Sequence, residues 1–112
     1  MENQITGPGM RRGTAVVVSL TSPREKVWGV LDEINSAGVF LRGLDLNSFD
    51  DWVRAVNHDE PFVGLGDLFF PAGRIERIER DESSTAVPSL VQQVEQRTGR
   101  KLEELFSPEK GI

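Results

Sequence analysis

The single histidine of this 112-residue chain, His58, lies in the stretch Asn57-His58-Asp59-Glu60, and with Asp50 nearby it forms the most metal-like grouping in the sequence. Zinc requires three or four converging N, S or O ligands. One histidine in a charged loop does not supply them, and no calcium-loop spacing is present, so no metal is expected. Gly64-Leu65-Gly66-Asp67 lacks the third glycine, the preceding strand and the following helix that would seat a phosphate on helix-terminal N–H groups. No serine or threonine is placed beside His58 and a carboxylate for nucleophilic catalysis. The chain has no cysteine, which removes disulfides, thiol chemistry and thiolate metal sites together. These absences argue against an enzyme and against a cofactor.

The remaining chemistry is binding. A net charge of −5 gives the average surface no drive toward nucleic acid. The acid is concentrated in residues 47–67, which hold Asp50, Asp51, Asp59, Glu60 and Asp67 against Arg54 alone. Arg11, Arg12 and Arg74 are the cations placed to meet a polyanion. Trp28, Phe40, Trp52, Phe69 and Phe70 have the chemistry of base-stacking platforms, but their alternation with other apolar residues favours core packing. The run Arg74-Ile75-Glu76-Arg77-Ile78-Glu79-Arg80 reads on a strand as Arg77 and Glu79 on one face and Glu76, Ile78 and Arg80 on the other. That pattern suits a mutually paired surface or contacts between subunits.

Positioning these residues requires the following elements. Residues 1–13, rich in glycine and proline, read as a flexible arm. Thr14–Leu20 is a short β-branched run and predicts a buried strand. Pro23 marks a turn and pushes its predecessor toward extended backbone. Lys26–Ile34 predicts a second strand, with Trp28, Val30 and Ile34 on one face and Val27, Gly29 and Leu31 on the other. Gly29 there allows a bend or a close backbone approach. A turn at residues 35–38, with Gly38 free to take positive φ, leads to an antiparallel third strand. Phe49, Trp52, Val53 and Val56 switch to helical spacing, predicting an inserted helix at 48–57 with Ser48 as N-cap. Leu68–Pro71 and Glu76–Asp81 are two further strands joined by a very short link. In the tail, Val87, Leu90, Val91 and Val94 predict a helix with Pro88 in its first turn, stopped by Gly99. Leu102, Leu105 and Phe106 anchor a last turn or two.

No apolar run approaches the roughly 20 residues of a membrane span. The N-terminus has neither a signal nor a transit pattern, and a cytoplasmic protein is expected.

Two stretches carry a resemblance. Val27-Trp28-Gly29-Val30-Leu31, continuing to a turn at Asn35, and Leu68-Phe69-Phe70-Pro71-Ala72-Gly73-Arg74-Ile75 together resemble the Sm-like family of small β-barrels, over residues 14–81. The matched positions are Gly29, Leu31 and Asn35, then the apolar strand, short polar joint and returning strand. The expected fold is therefore mainly β: a small five-stranded SH3/Sm-like barrel at 14–82 with a short inserted helix and a C-terminal helical appendage at 83–112. The resemblance implies a homo-oligomer whose fourth and fifth strands pair edge to edge, through Phe69, Glu76, Ile78 and Arg80. It also implies RNA contacts at Asn35 and Arg74, although the family's Arg-Gly signature at the joint is replaced by Pro71-Ala72-Gly73-Arg74. The leading functional expectation is a non-catalytic, self-associating interaction or scaffolding module with itself or another protein as partner. An RNA-binding ring comes second, and a small ligand-binding barrel or hydrolase third.

Overall fold

The computed structural model describes residues 10–60 and 65–106. Most of the expected arm, the centre of the loop after the inserted helix and the end of the tail lie outside the described residues. The chain runs β1 (Ala15–Leu20), β2 (Glu25–Asn35), β3 (Gly38–Asp45), a 3-10 turn (Leu46–Ser48), α1 (Phe49–Asn57), β4 (Gly66–Pro71), a second 3-10 turn (Ala72–Arg74), β5 (Ile75–Arg80), α2 (Leu90–Thr98) and α3 (Leu102–Phe106). The protein is mainly β. Its strands form one antiparallel sheet in the order β4-β3-β2-β1-β5. The sheet is open, with no ladder between β4 and β5 among the described residues.

The order forces the sheet to curl. Four interstrand gaps of about 4.8 Å would hold β4 and β5 about 19 Å apart in a flat sheet. The chain from Pro71 to Ile75 reaches about 14 Å at most. The joint is tied down at both ends: Ala72 N–H donates to the Ala37 carbonyl (2.9 Å), and Thr21 N–H donates to the Arg74 carbonyl (2.8 Å). Curling also needs close strands at the bend. Gly29 and Gly43 face each other across β2 and β3, and a Cβ on either would collide with main-chain atoms of the opposite strand. The sequence expectation at Gly29 is met, with Gly43 as its partner.

The inner face is fed by all five strands. Val16, Val18, Leu20, Val27, Leu31, Val39 and Leu41 are buried there, with Ile34, Leu68, Phe70, Ile75 and Ile78 packed against them. On the outer face of β1–β3 a second cluster joins Trp28 and Leu44 to Phe49, Trp52 and Val53 of α1, Val94 of α2 and Phe106 of α3. Trp28 is fully buried. Its ring centroid lies 5.2 Å from Phe49 and 5.2 Å from Phe106, both edge-on, and 5.9 Å from Trp52. The inserted helix and the tail thus form one layer over one part of the sheet, docked on the chain's own strands.

Several local expectations are corrected. Ile34 packs on the inner face rather than with Trp28, because a bulge between Leu31 and Glu33 adds Asp32 to β2 and reverses the alternation. A shift opposite Ser19 and Leu20 likewise puts Ile75 and Ile78, three residues apart, on the same inner face. Ser22 has φ 54° and precedes a cis bond to Pro23, so it is not extended. Ser48 occupies the N-cap position of α1 without a side-chain bond, and Asp45 instead accepts from Asn47 N–H at 2.8 Å. Val87 lies outside α2 and is exposed. That helix starts later because Ser89 and Gln92 form a capping box. Gly99 ends α2 as expected.

Candidate interaction surface

The helical layer stops short of β4 and β5. Their outward edges are unpaired among the described residues, so main-chain donors and acceptors face solvent there. On β5, Arg77 pairs in register with Ser19 and Glu79 with Val17, a member of the outer cluster. Arg77 and Glu79 therefore share the outer face, where they approach to 3.5 Å. Arg80 is in register with Val16 of the inner core and reaches Glu82 at 2.7 Å. Of the residues expected at an oligomer contact, Ile78 is half-buried on the inner face, Glu76 is exposed at the strand irregularity, and Phe69 is exposed on the outer face of β4.

Phe69 and Phe40 are the aromatic residues that the core expectation places wrongly. They are cross-strand neighbours on β4 and β3, 44% and 38% exposed, with ring centroids 4.6 Å apart. Their alternation with apolar neighbours was real, but the face they share is the part of the outer surface that no helix reaches. Together with Asp32, Leu41, Asp67 and Leu68 they line a cleft of about 140 Å³. Asp32 enters this group through the bulge, which no residue type in the sequence signals.

Asn35 and the 3-10 joint come together at one end of the sheet. Asn35 and Ala72 line a pocket of about 330 Å³ with Ile34, Gly38, Ile75 and Ile78. The Asn35 side chain is engaged locally: its amide oxygen accepts from Ala37 N–H (2.8 Å) and its amide nitrogen donates to Glu33 (2.7 Å). Arg74 is engaged as well. Its guanidinium donates to the carbonyls of Thr21 (3.0 Å) and Pro23 (2.7 Å) and stands 3.8 Å from Glu25. Arg74 pins the joint to the β1–β2 turn.

The acidic segment is largely matched within the fold. Arg97 reaches Asp50 at 2.9 Å, Arg100 reaches Asp59 at 3.3 Å and Arg54 reaches Asp51 at 2.9 Å. His58 is exposed at the end of α1. Among the described residues no three His, Asp or Glu side chains converge as a metal site, and no helix is long and apolar enough to cross a membrane. Gly64 of the expected glycine loop lies outside the described residues.

No known family, characterised protein or solved structure matches the chain.

Proposed function

We propose that this chain is a non-catalytic interaction module of Sm-like type that associates with copies of itself through the open edges of its sheet. The strand order and the three-residue joint between β4 and β5 support the Sm-like reading. The observation that carries the function is the placement of the helices. They cover the outer face of β1–β3 as far as Leu44 and Trp28, and leave Phe40 and both edge strands bare, with half-buried Leu68 and Phe70 near one edge and Ile75 and Ile78 near the other. A β4 edge joined to the β5 edge of a second copy would satisfy both sets of main-chain groups and extend both apolar faces. The charges on β5 make such pairing selective rather than indiscriminate.

An RNA-binding ring would need Asn35 and Arg74 available to base or phosphate, and both are held by the chain's own groups. Self-association therefore has the stronger support. Light scattering over a range of concentrations tests it. Mass should rise to a defined multiple of the 12.5 kDa chain, and a monomer at the highest concentration would overturn the reading.

A further inference from the structure

The cleft beside Phe40 and Phe69 has a definite chemistry. Two aromatic rings wall it, Asp32 and Asp67 supply carboxylates, and Leu41 and Leu68, whose side chains turn to the inner face, complete the lining. The Asp67 side chain is 86% exposed, and Arg42 meets it at Oδ1 (3.3 Å). Arg12 likewise meets Oδ1 of Asp32 (3.1 Å). Each carboxylate thus retains acceptor capacity for a second cation. A planar, weakly hydrated guanidinium suits aromatic faces and carboxylates together better than an ammonium does.

We propose that this cleft receives Arg77 of a second copy. This inference rests on the self-association proposed above and specifies its contact. β4 and β5 run in the same direction in the sheet, so when β4 of one copy pairs in parallel with β5 of the next, the outer faces stay on the same side. The outer-face residues of β4 are Asp67 and Phe69, and those of β5 are Arg77 and Glu79. Within the β5 run, Arg74 is bound to its own turn and Arg80 lies in register with the inner face. Arg77 is the cation of that run at the right edge and on the right face. It is half exposed, and its intrachain contact is the loose approach to Glu79. The contact is heterologous, since the surface that gives differs from the surface that receives.

Sedimentation velocity on full-length variants tests this. Arg77→Glu removes the donor, and Phe69→Lys places an ammonium in the cleft of the same chain. Each alone should raise the dissociation constant by roughly tenfold or more. An equimolar mixture should form dimers and nothing larger, because each variant keeps one intact face. Asp67→Asn, at an exposed position that leaves the fold intact, should weaken association about two- to fivefold. Wild-type association with an unaffected Arg77→Glu variant would overturn the inference and leave self-association standing. A mixture that stays monomeric would also overturn it. A monomeric wild type would remove both.

Discussion

The outer face of the sheet has two regions built from similar residues that behave differently. Around Trp28 the aromatic rings are sealed under α1, α2 and α3, and the indole N–H donates to Asp81 at 3.2 Å. Around Phe69 the rings pack on each other, and carboxylates stand beside them instead of a helix. The contrast separates stability from recognition. Apolar surface that is covered within the chain holds the fold together, whereas apolar surface left bare beside a free edge is available to another molecule.

Substituting at the sealed region should do the greatest damage. Trp28→Ala removes a fully buried ring contacted by three other aromatics and should cost about 3–5 kcal/mol, read from the midpoint of urea unfolding. If the loss is under about 1 kcal/mol, the helical layer does not depend on Trp28. Asp81→Ala comes next. The two carboxylate oxygens accept from Leu90 N–H and Val91 N–H at 2.8 Å each, as well as from the indole. Its removal leaves these donors without their partner and should cost about 1–3 kcal/mol. Amide exchange should quicken at Leu90 and Val91 first; uniform acceleration across the sheet would show that Asp81 does not act as the latch of α2. The smallest stability effect belongs to the bare region. Phe40→Ser should change unfolding free energy by no more than about 1 kcal/mol while weakening association. A larger loss of stability would place Phe40 with the core after all.

What the sequence discloses follows the same division. Strand positions, the close approach at Gly29, the inserted helix with Phe49, Trp52 and Val53, and the short joint after Pro71 all rest on local spacing, and spacing reads well without a structure. The faces of individual residues do not. Asp32 has no feature that marks a bulge, yet it moves Ile34 to the inner core and itself to the cleft. Phe40 and Phe69 look like core residues because hydrophobicity cannot say how far a helix laid over the sheet will extend. Arg74 reads as a free cation because its partners are main-chain carbonyls more than 50 residues away in sequence, which no side-chain pattern reveals.

On the proposed self-association, the Phe69 region serves association and not folding. The decisive experiment sets Phe69→Lys beside wild type, with sedimentation velocity and urea unfolding on the same samples. Loss of association with an unfolding free energy within about 1 kcal/mol of wild type is the predicted result. Unchanged association, or a loss of association that merely accompanies unfolding, would contradict it.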